Sequence, residues 1–297
     1  MTRAGTVALV GRPNVGKSTL MNALLGERLS IVSPKAQTTR HRVMGVLTRA
    51  DSQYVFVDTP GQADIQGKAL NRLLDRTAIS AMADVDVTLW VVEPRRWTSA
   101  DDQMLARMQR ARPGNLGLIL SKVDQIKDKS ALLPEIGRLH ALIQPDFLVP
   151  LSATKGDNLE ALFSELDQRL PEGPWLYDAD TLTPHSAEFL VAEHIRQQLF
   201  LRLNKELPYA TTVTIDRMSQ SDHGNEVHAT IWVNRPSHKG IVIGKQGQGL
   251  KAIGQSARER LQGLFDQPFD IHLWVKVREG WADHEDSLRA FGYGATE

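Results

Sequence analysis

An apolar run, VALV at residues 7 to 10, leads straight into GRPNVGKS at 11 to 18 and then into the helix-like STLMNALLG. Strand, glycine-rich loop and helix in that order leave few folds open, because the loop must deliver backbone N–H groups to a helix N-terminus beside a sheet. The octet fits G-x-x-x-x-G-K-[ST], the pattern of a phosphate-binding loop. Gly11 and Gly16 let the backbone close on the phosphates, Lys17 reaches the β- and γ-phosphates, and the Ser18 hydroxyl binds Mg²⁺. The candidate nucleotide-binding set here is Gly11, Arg12, Pro13, Asn14, Val15, Gly16, Lys17, Ser18 and Thr19.

Short apolar runs recur at YVFVD (54), VTLWVVE (87), LGLIL (116) and FLVPL (147), alternating with helix-like segments. Runs rich in Val and Ile that do not alternate in polarity suit strands buried on both faces of a parallel sheet. The expected fold class is therefore α/β, a P-loop NTPase domain with a mostly parallel sheet and helices on both faces, over residues 1–170. HRVMGVLTRADSQYVFVD instead reads as two strands and a polar turn, one antiparallel edge pair. PEGPWLYDADTLTP carries three Pro and one Gly, so residues 171–185 read as a linker. Residues 186–297 then give helix, strand, strand, helix, helix, strand, a small α+β unit.

A chain of 297 residues is comfortable for two domains. Lys plus Arg and Asp plus Glu balance at 35 each, so an electrostatic partner must be engaged locally. The absence of Cys excludes thiolate metal sites and a disulfide framework. The N-terminus has no leader-like or membrane-spanning run, which points to the cytosol.

DTPG at 58 to 61 closes the second apolar run. Asp58 at a strand end is placed to hold Mg²⁺ through water, and the Gly61 N–H to sense a γ-phosphate, as switch loops do. In the intervening SPKAQTTRHR, Thr39 is the first choice for the hydroxyl that completes Mg²⁺ coordination, with Thr38 a live rival. SKVD at 121 to 124 offers a guanine pocket: Asp124 accepts from the guanine N1–H and 2-amino group, and the Lys122 stem covers the base. Ser121 stands where such pockets usually have Asn and should cost about one neutral hydrogen bond, weakening GTP by roughly tenfold or less. Asp124 should still reject adenine. In SAT at 152 to 154, Ser152 precedes the Ala153 N–H, which is placed to meet guanine O6.

GKQG at 244 to 247 fits the G-x-x-G loop of KH domains, lying between apolar IVI and a helix-like segment. From 235 to 260, Arg235, Lys239, Lys245, Lys251, Arg258 and Arg260 face Glu259 alone, a local excess suited to phosphates. The RNA-binding candidates are Lys239, Gly244, Lys245, Gln246, Gly247, Lys251 and Arg258. Seven of nine His fall between 185 and 284 with no metal-like spacing. Trp232 and Trp274 read as strand core residues.

GRPNVGKS, TTRHR, DTPG, SKVD and SATKGDN, in this order, resemble the translation-factor-like GTPases. KAQTTRHR, RRWTSADD at 95 to 102, ELPY at 206 to 209, VIGKQGQGLKAIG and LWVKVREGWADHEDSLRAFGY are similar to the Era family of bacterial ribosome-assembly GTPases, over essentially the whole chain. The resemblance implies GTP hydrolysis; the catalytic candidates are Lys17, Thr39, Gly61 and Gln62, the last of them a departure from the family. It also implies a type II KH domain that binds the 3′ end of 16S ribosomal RNA in the 30S subunit, with nucleotide state setting RNA affinity. Asn14 resembles the residue with which related GTPases hold K⁺ beside the phosphates. A cytoplasmic monomer, with peripheral association at the inner face of the membrane left open, completes the expectation. Hydrolysis should be slow, since no arginine is placed as a finger in cis; Arg40 and Arg42 read equally well as solvated or RNA-facing. Gln62, where the family commonly has a hydrophobic residue, is read either as orienting the attacking water or as a solvated loop residue. The rival function is a non-catalytic, nucleotide-responsive RNA chaperone. An RNA-modification GTPase has no supporting constellation in the second half.

Overall fold

The structure is a computed structural model, described here for residues 1–61, 68–83, 85–222 and 224–294. Gln62 lies outside the described residues. The chain folds into two compact units: Met1–Ser30, Thr39–Ala63 and Leu74–Pro184 form the first, and Ile31–Thr38, Asp64–Leu73 and His185–Glu297 the second.

The first unit follows β1 (Arg3–Val10), α1 (Lys17–Leu25), β2 (Val43–Arg49), β3 (Ser52–Asp58), α2 (Lys68–Ala83, of which the part from Leu74 on belongs here), β4 (Val87–Val92), α3 (Ser99–Ala111), β5 (Leu116–Leu120), α4 (Leu132–Ile143), β6 (Phe147–Pro150) and α5 (Leu159–Asp167). Its sheet has the order β2-β3-β1-β4-β5-β6, parallel except for β2, which pairs antiparallel with β3 at the edge. Strand β3 is buried along its whole length, which suits its central run of strand formers at residues 54–57. Met82, Met104, Met108, Leu132 and Leu139 cover one face over Ala8, Val10, Trp90 and Leu118. On the other face α1 sits so close to β2 that a Cβ on Gly45 would lie 2.5 Å from Leu25 Cδ1, and Tyr54 meets Phe163 of α5 at 5.3 Å.

Residues 171–184, expected as a linker, are bound to the first unit. Leu182 O accepts from Val46 N at 2.8 Å and Met44 O accepts from the Thr183 hydroxyl at 2.6 Å, so the stretch covers part of the free edge of β2. The buried Gln53 side chain fastens it: Oε1 accepts from Leu176 N (2.8 Å) and Tyr177 N (2.9 Å), and Nε2 donates to Tyr177 O (2.8 Å). Local sequence shows Pro and Gly there; only the folded sheet edge offers the hydrogen-bonding groups that hold them.

The second unit continues with α6 (Ala187–Arg202), β7 (Thr211–Ser221), β8 (Gly224–Val233), α7 (Pro236–Ile243), α8 (Gln248–Phe265), β9 (Phe269–Val277) and α9 (Glu285–Ala290). In its sheet β7 and β8 are antiparallel, and β8 and β9 are parallel. Val191, Ile195 and Leu199 of α6 and Ile253, Ala257 and Leu261 of α8 pack on Val227, Ala229, Ile231 and Val275 of the sheet. Residues pointing the other way along β9, among them His272 and Trp274, are exposed. Trp274, expected in the core, is 46% exposed, because its parity in β9 is opposite to that of Ile271 and Val275. Trp281 is fully buried: its Nε1 donates to Ala210 O at 3.2 Å, and its ring meets Phe291 edge-on at 5.7 Å. Among the described residues no helix is long and apolar enough to cross a membrane.

Gln53→Ala removes the partner of two backbone N–H groups and a carbonyl. We expect a loss of about 1–3 kcal/mol in the stability of the first unit by urea titration, together with faster proteolysis within residues 171–184.

Candidate nucleotide site and RNA groove

The loop between β1 and α1 is shaped by close approaches. Gly11 has φ 145°, and a Cβ there would lie 2.4 Å from Val91 O, so β4 leaves no room for a side chain. Gly61 presses on the loop from the other side: a Cβ would lie 2.9 Å from Pro13 Cα and 3.0 Å from Lys17 Nζ. Lys17 Nζ is buried and donates to Gly11 O (2.9 Å) and Arg12 O (3.1 Å). Burial lowers its pKa to about 8.

Asp58, at the end of β3, is fully buried. Its Oδ2 accepts from Ser18 Oγ at 2.5 Å, Ser30 Oγ at 2.7 Å and Thr39 Oγ1 at 3.3 Å, and Ser18 Oγ lies 3.0 Å from Thr39 Oγ1. Oδ1 is buried with no hydrogen-bond partner among the described residues. Burial raises the carboxyl pKa, while Lys17 and then the hydroxyls of Ser18, Ser30 and Thr39 oppose the rise. Two hydroxyls and a carboxylate with an orphaned oxygen are hard donors of the kind Mg²⁺ takes, so the residues fit that ion. Thr38 turns away: its Oγ1 donates to Lys35 O at 2.7 Å and lies 2.6 Å from Ser33 Oγ. Arg40, for which a solvated place was one expectation, is 2% exposed. Ser30 was missed because a loop serine carries no signal of its own.

The end of β5 meets the same loop, and the end of β6 meets the segment that follows β5. Ser121 is buried, and its hydroxyl lies 2.7 Å from Val15 O and 3.1 Å from Val92 O, both acceptors. Its one proton is thus committed to the backbone. Lys122, at φ 55°, donates from Nζ to Asn14 O at 2.6 Å and pairs with Glu93 at 3.0 Å. Glu93, also missed, gathers Arg12 (3.7 Å) and Arg96 (2.9 Å) as well. The Ser152 hydroxyl donates to Asp124 Oδ1 at 2.6 Å, which brings SKVD and SAT together, with Ala153 following Ser152 in chain.

In the second unit, GKQG joins α7 to α8. Gly244 has φ 71° and Gly247 φ 79°, and a Cβ on Gly244 would lie 2.9 Å from Gly249 N. Gln246 is also left-handed, at φ 52°. Lys239, Lys245, Gln246 and Lys251 are exposed. A groove between α8 and β9 is lined by Gly247, Lys251, Gly254, Arg258, His272 and Trp274. Arg258 also pairs with Asp270 at 3.1 Å.

The buried ammonium of Lys17 has a measurable cost. Its folded-state value of about 8 lies below the ordinary 10.5, so the folded chain binds fewer protons than the unfolded chain between these values, and stability rises with pH there. Below about pH 8 the penalty is on the order of 3 kcal/mol. Lys17→Met should therefore stabilise the nucleotide-free protein at pH 7, with the advantage fading as pH approaches 10.5. Urea titrations across pH check it.

The family described as 50S ribosome-binding GTPase matches residues 6–122, and the KH domain family matches residues 206–282. GTPase Era of Bordetella pertussis is 45% identical over 291 residues, covering 98% of each chain. GTPase Era of Pseudomonas putida is 43% identical over 293 residues, covering 99% of this chain and 97% of that one. Among solved structures, a tyrosine-to-alanine variant of Aquifex aeolicus Era bound to GDP·AlF4⁻ superposes with a TM-score of 0.94 at 34% identity, covering 99% of this chain and 100% of that chain. Era in complex with MgGDPNP and nucleotides 1506–1542 of 16S ribosomal RNA gives 0.93 at 35% identity, with the same coverage. With the P-loop site in one unit, the G-x-x-G loop in the other and relatives alike from end to end, the chain belongs to the GTPase Era family.

Proposed function

We propose that the protein is a GTP-driven switch that binds the 3′ end of 16S ribosomal RNA through its KH domain and serves maturation of the small ribosomal subunit. Lys17 neutralises charge on the β- and γ-phosphates, Ser18, Thr39 and Asp58 hold Mg²⁺, and Gly61 N–H reports the γ-phosphate. Mg²⁺ supplies charge neutralisation on the phosphate oxygens, so catalysis here is mostly positioning, with water as nucleophile. Gln62 is the candidate for orienting that water, and Asn14 for holding K⁺. Asp124, oriented by Ser152, reads guanine with Lys122 and Ala153. RNA phosphates meet Gly244, Lys245, Gln246 and Gly247, with Lys239, Lys251 and Arg258 adding charge, and Trp274 offers a ring for stacking on a base.

The observation that carries the switch is the place of one loop. Residues Ile31–Thr38 belong to the second unit, and Thr39, the next residue, belongs to the first. Lys35 Nζ donates to the carbonyls of Phe200 and Leu203 at the end of α6, and Gln197 Nε2 donates to Val32 O at 2.9 Å. A nucleotide that pulls Thr39 toward Mg²⁺ thus pulls on a segment anchored to the RNA-binding unit. Ser121 keeps the strut to the P-loop that its hydroxyl makes, with no proton left for the base.

The test measures binding of a 16S 3′-end oligonucleotide to nucleotide-free, GDP-bound and GTP-analogue-bound protein, and phosphate release with and without that RNA. Equal dissociation constants in all three states would remove the switch; negligible release under both conditions would leave the RNA-chaperone reading. For the base pocket, Ser121→Asn should tighten GTP by up to about tenfold while retaining discrimination against ATP, as isothermal titration would read.

A further inference from the structure

The seven histidines between 185 and 284 have no metal-like spacing, but strand pairing gives two of them one. His228 of β8 is the direct cross-strand partner of His272 of β9, and Glu226 is the partner of Asp270. Along their strands these four residues alternate with the ones that pack against the helices. The two imidazoles stack at 4.8 Å between centroids, and His228 Nε2 lies 2.8 Å from Glu226 Oε1. One ligand atom from each of Glu226, His228 and His272 lies within 4.8 Å of the others.

We propose that Glu226, His228 and His272 form a binding site for a first-row divalent transition metal of the Zn²⁺ class, on the open face of the KH sheet. In a tetrahedral site with bonds near 2.1 Å, ligand atoms stand about 3.4 Å apart, so closing the set needs shifts of about 1 Å in exposed side chains. Imidazole donors select zinc, nickel or copper over Mg²⁺, which prefers an all-oxygen shell. Asp270 Oδ2, 3.1 Å from His272 Nε2, supplies the carboxylate that orients a ligating imidazole, and Arg258 balances its charge. Three protein ligands leave a coordination position for water or a phosphate oxygen.

Neighbouring structure keeps this end of the sheet accessible. Farther along the same face Trp232 is covered by Phe291 at 5.4 Å, whereas Glu226, His228 and His272 keep side-chain exposures of 51%, 29% and 43%. Trp274 stacks on His228 at 5.4 Å and 14°, which places a fluorophore beside the site. His272 and Trp274 also line the groove against α8, so the ion would sit at the rim of the RNA site.

The full-length protein, in buffer with millimolar Mg²⁺, is titrated calorimetrically with ZnCl₂. We expect one equivalent to bind the wild type that is lost in the double variant His228→Gln, His272→Gln, and at least about tenfold weaker binding in Glu226→Gln. Ni²⁺ or Cu²⁺ should quench part of the tryptophan emission of the wild type, and this quenching should be lost in both the double variant and Trp274→Phe. The metal-free melting curves of the variants should overlay that of the wild type, since the replaced side chains are not in the core. Equal Zn²⁺ binding by wild type and double variant, or no binding by either, overturns the proposal.

Discussion

The buried carboxylate of Asp58 is the interaction on which the nucleotide site depends. A carboxylate removed from water costs several kcal/mol unless charge and hydrogen bonds replace its hydration. Here β3 carries it to the end of a fully buried strand, where Ser18 from α1 and Ser30 and Thr39 from the following loops converge on one of its oxygens. The other oxygen has no hydrogen-bond partner among the described residues. An oxygen so placed makes cation binding favourable, and the same burial holds Lys17 close to losing its proton. Burial of both charges is thus costly to the folded chain, a cost that the proposed phosphate and metal ligands would offset.

The two units meet this constraint through chain connectivity. Because the unit boundary falls between Thr38 and Thr39, the hydroxyl that reaches Asp58 is one peptide bond from a segment whose Lys35 is tied to the end of α6. Thr38 is held in that segment by Ser33 and the Lys35 carbonyl, which is why two adjacent threonines with the same chemistry have different partners. Charge follows the same economy of placement. Balanced over the chain as a whole, it is locally basic from 235 to 260, beside a loop whose glycines permit close approach of a phosphate backbone.

The α/β alternation, the antiparallel edge pair and the α+β second half were legible because buried parallel strands need unbroken apolar runs and surface helices need periodic ones. GRPNVGKS, DTPG, SKVD and GKQG stood out as candidates because phosphate and base recognition need backbone geometries and charges that few residue types supply. Trp274 was misread because a single aromatic in a strand does not declare its face; the neighbours Ile271 and Val275 do so only when the core side is known. The binding of residues 171–184 escaped for a different reason, since the partner lies more than a hundred residues away on Gln53.

Sequence by itself therefore picked out the candidates for the chemistry: a loop with a phosphate-binding pattern, a carboxylate proposed to read guanine, and a G-x-x-G turn proposed to approach RNA. These are properties of short segments, fixed by residue type and spacing. Tertiary structure alone decided which hydroxyls share Asp58, that the Ser121 proton is spent on Val15 O, and that His228 and His272 stand side by side. Those are properties of distance between segments remote in the chain, and strand register and burial set them.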